Sequence, residues 1–174
     1  IITQNFTQIL IFFKDSKIDL DDKKLDSVAS HLIRLYETSM CWQQSYGALG
    51  LLSYLRNRGI PMGVISNFDP RLEATLINTK LRHYFKFVAG SYELGVDKPN
   101  TEIFEKAMEM SKVKGIKPED CLHVGNTVLL DFVGARNSGW NAVLIHDISM
   151  RKVKEKYPDI DPSFVFSSLY DLHR

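Results

Sequence analysis

The sequence predicts an α/β fold in which a parallel sheet is flanked by helices. Two observations lead to it: helical and strand patterns alternate from Gly47 to the end of the sequence, and the segment before Gly47 carries helical periodicity alone. Alternating helices and strands are typical of a doubly wound sheet whose strands run in parallel. We therefore expect two regions, a partial helical region over residues 1–40 and an α/β core over residues 41–174.

The helical region is predicted to contain two helices, because apolar residues recur at helical spacing in two places. Those of the first helix are Ile2, Phe6, Ile9, Leu10 and Phe13, and those of the second are Leu25, Val28, Ala29, Leu32, Ile33 and Tyr36. The polar stretch Lys14–Lys24 separates the two helices, and either Asp21 or Asp22 is predicted to cap the second one.

The α/β core is predicted from short apolar runs that end in turn residues and are followed by helical patterns. The predicted elements are, in order, helix Ala48–Asn57, strand Pro61–Ser66, helix Arg71–Asn78, strand Phe85–Ala89, loop Ser91–Pro99, helix Thr101–Val113, strand Cys121–Val124, a helix ending at Asn137, strand Asn141–Ile145, helix Met150–Tyr157 and strand Phe164–Phe166. In the helix that follows Cys121–Val124, the predicted apolar face consists of Leu129, Leu130, Phe132, Val133 and Ala135.

Charge and composition exclude several classes of function. The 22 lysine and arginine residues balance 21 aspartate and glutamate residues, and no run of like charge marks a nucleic-acid-binding or membrane-surface patch. No apolar run is long enough to span a bilayer, and Ile1–Phe13 lacks the basic start of a signal peptide. Cys41 and Cys121 lack the spacing of a zinc site or a disulfide framework. We therefore expect buried free thiols and a reducing intracellular compartment, the cytoplasm or a mitochondrion.

Polar side chains follow three of the predicted strands at the point where each strand ends. Ser66 and Asn67 follow one strand, Lys98 lies in the loop after the next, and Asn126 and Asp131 follow a third. Because the carboxyl ends of parallel strands meet at one sheet edge, these groups are expected to converge on a phosphate site that also takes Mg²⁺. Taken singly, each has another explanation, namely a turn former, a solvated lysine or a wet helix face.

Three motifs, in this order, resemble those of the haloacid dehalogenase-like hydrolases. They are GVISNFD at Gly63–Asp69, DKPNTEIF at Asp97–Phe104, and HVGN at His123–Asn126 followed by Asp131 and GARNSGW. The similarity extends from about Cys41 to the end, and it implies a Rossmann-like sheet. Residues 1–40 resemble part of the helical cap that this superfamily inserts after its first strand. Within the superfamily, SNFDPRLE and LHVGN are most similar to the haloacid dehalogenase-like hydrolase domain-containing protein 3 group.

The resemblance also implies a role for each candidate residue. Ser66 would hydrogen-bond the transferred phosphoryl group, Asn67 would shape its pocket, and Lys98 would neutralise charge on the nucleophile and the phosphoryl oxygens. Asn126 stands where the family has a direct Mg²⁺ ligand, and Asp131 would orient the metal's water shell or Lys98. The family's reaction is transfer of a phosphoryl group to an aspartate, followed by hydrolysis.

The family's nucleophile motif, DxDx(T/V) at the end of an apolar first strand, is not found in this sequence. Asp19–Asp21 and Asp159–Ser163 come nearest, but neither follows an apolar strand, and we interpret both as coincidences. That first strand lies centrally in the family's sheet, so we expect the strands Pro61–Ser66 and Cys121–Val124 each to have an unpaired edge unless another segment fills the gap. Whether a nucleophile strand lies upstream of Ile1 stays open, and we expect no turnover by the chain as it stands.

The last of the three motifs departs from the family as well, because Gly125 is followed by Asn126 where the family has aspartate. An amide keeps an oxygen for a metal but loses the negative charge, so the affinity for Mg²⁺ is expected to be lower. Two functions stay open. One is a phosphatase-type hydrolase of a small phosphate monoester, and the other is a catalytically silent protein that acts with a protein partner as a structural or binding subunit.

Overall fold

The computed structural model describes residues 21–35, 42–146 and 155–174 of the chain. The chain divides into two compact units, the first made of Ile1–Gln43 and Phe68–His83 and the second of Gln44–Asn67 and Tyr84–Arg174. The division predicted at residue 40 stays a prediction. The predictions for Ile1–Phe13, Tyr36, Cys41 and the first part of Met150–Tyr157 fall outside the described residues.

Helices and parallel strands alternate along the described chain, which confirms the predicted α/β class. The main elements are α1 (Asp22–Leu35), α2 (Ala48–Asn57), β1 (Gly63–Ser66), α3 (Leu72–Asn78), β2 (Phe87–Gly90), α4 (Ser91–Leu94), α5 (Thr101–Ser111), β3 (Leu122–Gly125), a π-helix (Val128–Val133), α6 (Gly134–Asn137), β4 (Asn141–Ile145), β5 (Val165–Phe166) and α7 (Leu169–His173). None of the described helices is both long and apolar enough to cross a membrane.

The first unit contains α1 and α3. Leu25 and Ala29, four residues apart on α1, are buried, as the helical spacing of its apolar residues predicts. Of the two candidate caps, Asp21 accepts a hydrogen bond from the backbone N–H of Lys24 at 2.8 Å. Arg71, next to α3, forms an ion pair with Asp69 and donates to the carbonyl oxygen of Ile33 at 3.2 Å. The Arg71 side chain thus joins α1 to the segment before α3.

The second unit contains the five strands found among the described residues, in two parallel sheets. β1 pairs with β2, and β3, β4 and β5 form the other sheet in that order. Within the described chain, β1 pairs only with β2 and β3 only with β4, so each has an unpaired edge, as predicted. The carboxyl ends of β1 and β3 are Ser66 and Gly125. Both strands that have an unpaired edge therefore end at the candidate site.

The core of the second unit is built around α5. Asn100 caps this helix by accepting from the backbone N–H of Glu102 at 3.0 Å, and Ile103 and Phe104 then face inward and are fully buried. The Phe104 ring packs edge-on against His123 and Trp140, with centroid distances of 5.4 and 5.5 Å. The core therefore reaches β3 beside the site.

Cys121 is the buried free thiol that the sequence predicts. Burial raises the pKa of this thiol, and the negative charge of Asp120 raises it further. The neutral thiol therefore prevails near neutral pH, which fits a packing role.

Two details of the predicted core were wrong. Ser91–Pro99 was predicted to be a loop throughout, but it begins with the short helix α4. Gly95 ends this helix in the left-handed region at φ 68, and only the residues after it form a loop. Leu129 was placed on a buried apolar face but is 60% exposed. The cause is the π-helix, whose wider turn replaces the α-helical period and buries Val128 and Asp131, while Phe132 is buried as predicted.

Candidate active site

The candidate site lies at the carboxyl ends of β1 and β3, where Lys98 connects the two sheets. Lys98 follows β2 in the chain and is buried. Its Nζ donates to the carbonyl oxygen of Ile65 on β1 at 3.0 Å and to Oδ1 of Asp131 at 2.5 Å. Asp131 belongs to the π-helix after β3. One lysine ammonium therefore binds a group on β1 and a group on the π-helix that follows β3.

Asp131 accepts four hydrogen bonds from four different donors. Its Oδ1 accepts from Lys98 and lies 3.0 Å from Nε2 of His123, and its Oδ2 accepts from the backbone N–H groups of Asn126 and Thr127 at 3.0 and 2.8 Å. The carboxylate is only 4% exposed. A buried charge is stable only when it is paired and hydrogen-bonded, and Asp131 meets both conditions.

The charge state of Asp131 follows from these contacts. Burial alone would raise its pKa, but the hydrogen bonds from His123, Lys98 and Thr127 and the positive charge of Lys98 oppose burial and lower the pKa well below the usual range of a carboxyl group. Asp131 is therefore ionised at neutral pH.

The lowered pKa of Asp131 predicts how stability depends on pH. A carboxyl group with a depressed folded-state pKa stabilises the fold fully above its unfolded pKa of about 3.9, and this contribution is lost as the pH falls through the lower folded-state pKa. We expect the wild type to lose more unfolding free energy than Asp131→Asn as the pH falls below about 5, measured by urea unfolding. Other acidic groups are common to both proteins. If the unfolding free energy of the two fell in parallel with pH, the lowered pKa assigned to Asp131 would be contradicted.

Asn67 fixes the backbone of Lys98 through both ends of its amide side chain. Oδ1 of Asn67 accepts from the Lys98 backbone N–H at 2.8 Å, and Nδ2 donates to the Lys98 carbonyl oxygen at 2.9 Å. Ser66, one residue earlier at the end of β1, is half-buried. Three of the predicted residues, Ser66, Asn67 and Lys98, are thereby brought to one place by the neighbouring strand ends.

His123 is a site residue that the sequence reasoning missed. It lies on β3, is 8% exposed, and contacts Asp131 with one ring nitrogen while its ring packs on Phe104. A signal was present in the sequence, since His123 lies two positions before Gly125 and therefore shares a strand face with it. A histidine in an apolar strand that ends at a polar turn indicates a buried partner for its nitrogen.

Asn126 takes part through its backbone. Its N–H binds Asp131, whereas its side chain is exposed and makes no hydrogen bond to a described residue. Within the described ranges, no group of three or more His, Cys, Asp or Glu side chains is arranged to hold a metal. The Asp131 oxygens are already taken by four donors. The described residues alone therefore do not fit Mg²⁺, and the assignment of Asn126 and Asp131 as metal residues stays a prediction.

The chain matches known proteins along most of its length. The family model described as haloacid dehalogenase-like hydrolase matches residues 3–139. The "Rhythmically expressed gene 2 protein" of Drosophila melanogaster is 46% identical over 167 residues, which is 93% of this chain and 64% of that protein. The "Haloacid dehalogenase-like hydrolase domain-containing protein 3" of Xenopus laevis is 36% identical over 151 residues, which is 87% of this chain and 60% of that protein.

Solved structures share the fold. The "HAD phosphatase from Thermococcus onnurineus" aligns with a TM-score of 0.65 at 24% identity and covers 93% of this chain and 67% of that chain. These matches confirm the resemblance on which the sequence motifs were interpreted. The chain spans less than two thirds of the length of the two relatives, at 64% and 60%.

Proposed function

The chain belongs to the haloacid dehalogenase-like hydrolase family, and from this premise we propose that it forms the phosphate-binding part of a phosphatase-type hydrolase. The substrate class is a small phosphate monoester. The reaction is transfer of the phosphoryl group to a carboxylate, followed by hydrolysis. An intracellular location, in the cytoplasm or a mitochondrion, belongs to the same proposal.

The observation that carries the proposal is the third N–H of the Lys98 ammonium. A lysine ammonium has three donors, and two of them point to the Ile65 carbonyl oxygen and the Asp131 carboxylate. No other acceptor in the described part of the chain contacts Nζ, so the third donor is open to a phosphoryl oxygen. A cation fixed from two sides offsets negative charge on bound phosphate without having to reorganise.

The neighbouring residues then have separate tasks. Lys98 binds a phosphoryl oxygen, and Asn67 holds the Lys98 backbone so that the side chain enters from a fixed point. Ser66 donates its hydroxyl to the same phosphoryl group from the end of β1. Asp131 holds the ammonium on one oxygen and the Asn126–Thr127 backbone on the other, so it couples the position of the cation to the turn after β3.

We propose that the nucleophile comes from a further strand, outside the described residues, that pairs with the unpaired edges of β1 and β3. Its carboxyl end would lie beside Lys98, since parallel strands of one sheet end at the same edge. An aspartate there would accept the phosphoryl group, and a second carboxyl group would supply the proton to the leaving oxygen. Without this strand, the residues of the site bind phosphate but break no bond.

Mg²⁺ is the cofactor that the family implies, and we propose that its carboxylate ligands come with the nucleophile strand. Asn126 would add only a neutral amide oxygen. Because Mg²⁺ gives up its water ligands reluctantly, the loss of one carboxylate weakens its binding. The steps assigned to Lys98, Ser66 and Asp131 do not depend on the metal.

The Gly125–Asn126 pair also favours a second candidate function, a catalytically silent protein that serves as a binding or structural subunit. In that case, the contacts between Lys98 and Asp131 would be retained for stability alone. The two candidates differ in whether the Lys98 ammonium changes the rate of a reaction.

An activity assay separates the two candidates. We expect the full-length protein to hydrolyse p-nitrophenyl phosphate in Mg²⁺, and Lys98→Ala to lower kcat by about 10²- to 10³-fold, the range for removing one charge-stabilising donor. Lys114→Ala is the matched control, because Lys114 is an exposed lysine of the same unit. Equal rates for wild type and Lys98→Ala would leave the silent subunit as the better account.

A further inference from the structure

We propose that an exposed surface of tyrosine and arginine on α2 and α7 binds an acidic segment of a partner protein. This tyrosine–arginine surface consists of Tyr46, Leu49, Tyr54, Arg58, Tyr170 and Arg174. Its tyrosines are 71%, 40% and 42% exposed, and Leu49 is 46% exposed. Large apolar side chains that remain accessible together indicate an interaction site, whereas single ones do not.

The surface is assembled by close packing of two helices that are far apart in the sequence. Gly47, just before α2, has φ +84, and a Cβ at this position would lie 2.3 Å from the backbone nitrogen of Tyr170 on α7. Only glycine permits this approach. The Tyr46 and Tyr170 rings then lie 5.1 Å apart, and Tyr54 lies 4.9 Å from the ring of His173. The tyrosines are thereby held in fixed positions.

Two arginines are stacked on the tyrosines and give the surface its charge. The guanidinium of Arg58 lies 4.7 Å from the centre of the Tyr54 ring, and that of Arg174 lies 6.0 Å from the Tyr170 ring. Residues 44–60 contain no aspartate or glutamate. The Ser167 and Ser168 hydroxyls donate hydrogen bonds to Asp171, the one acidic residue of α7, and these bonds, together with the positive charge of Arg174, lower its pKa, so Asp171 stays ionised. Arg58 and Arg174 outnumber this single carboxylate, so the surface keeps a net positive charge in a chain whose overall charge is only +1.

These features fit a protein segment that carries carboxylates beside apolar or aromatic side chains. Tyrosine and arginine are the residue types that dominate binding energy at protein interfaces, and carboxylates match the fork of a guanidinium. A nucleic acid fits less well, because binding along a phosphate backbone needs several cations, and this surface offers two arginines with Asp171 beside them.

A binding experiment with a defined acidic probe tests the proposal. We expect a random copolymer of glutamate and tyrosine to bind the protein in fluorescence anisotropy at low salt, more weakly as salt is added. The charge reversal Arg58→Glu/Arg174→Glu is expected to lower the affinity about tenfold or more, and Tyr46→Ser several-fold. All three residues are exposed, so the variants should unfold at wild-type temperatures. Tyr92→Ser, at a tyrosine 48% exposed outside this surface, should bind like the wild type.

Four results would overturn the proposal. The copolymer does not bind, or the charge reversal leaves its affinity unchanged. Single-stranded oligothymidylate competes with equal affinity through the same residues, which would make the surface a nucleic-acid site. Light scattering finds a dimer that Tyr46→Ser converts to monomers, which would assign the surface to a second copy of this chain.

Discussion

Asp131→Asn is expected to lower the free energy of unfolding by about 3–5 kcal/mol, because it breaks a buried ion pair by removing one partner. Four donors converge on the Asp131 carboxylate, two on each oxygen. An amide presents an NH₂ group in place of one oxygen. In one orientation it would face Lys98 and His123, and in the other the two backbone N–H groups. Either way, buried donors oppose each other and lose their acceptor.

Urea unfolding at neutral pH measures this loss. The matched control is Asp161→Asn, which changes an aspartate that accepts from the Ser163 backbone N–H at 2.9 Å in an exposed turn. The control is expected to cost far less, because asparagine keeps the side-chain oxygen that accepts this hydrogen bond and the site is open to water. If both variants lost the same free energy, the four contacts of Asp131 would not have the stabilising role assigned to them.

Gly125→Ala is expected to cost about 3 kcal/mol or more, the upper range for inserting an atom into a packed site. A Cβ at Gly125 would lie 2.3 Å from Cγ and 2.4 Å from Cβ of Asp131. Real atoms do not approach so closely, and neither Asp131 nor β3 can move without breaking the contacts to Lys98 and the turn. The added methyl group should therefore displace the carboxylate.

The control for this change is Gly50→Ala, inside α2, where the nearest atom to a new Cβ is 3.7 Å away on His173. Since alanine suits a helix interior better than glycine, this variant should gain about 0.5–1 kcal/mol in unfolding free energy. A double-mutant cycle with Asp131→Ala sharpens the test, because the cost of Gly125→Ala should shrink once the opposing side chain is gone. Additive costs would show that the clash does not involve Asp131.

Much of the site could be predicted because it depends on where strands end. Ser66, Asn67 and Lys98 follow strand patterns that are clear in the sequence, and parallel strands bring their ends to one edge. The unpaired edges of β1 and β3 were predicted on another ground, because the family's central first strand is not found in this sequence. The sequence could not predict which donor binds which oxygen of Asp131, because that depends on side-chain positions that no spacing rule gives.

His123 and Leu129 show where reasoning from periodicity stops. His123 lies in an apolar run and looks like a packing residue until its partner, Asp131, is placed opposite it by the π-helix. Leu129 follows the α-helical pattern, but the π-turn points it outward, whereas Phe132 and Ala135 of the same predicted face are buried. Periodicity gives neither the hydrogen-bond partner of a strand residue nor a local change of helical geometry.

Neighbouring positions in and around the turn after β3 differ in which side chains they can accept. Gly125 leaves no room for a side chain, and the contacts of His123 and Asp131 require their particular groups. At Asn126 the fold uses only the backbone N–H, which every residue except proline provides. A replacement of Asn126 by any residue other than proline therefore leaves the contacts that hold the turn in place. The side chain at this position can change without a change in the fold.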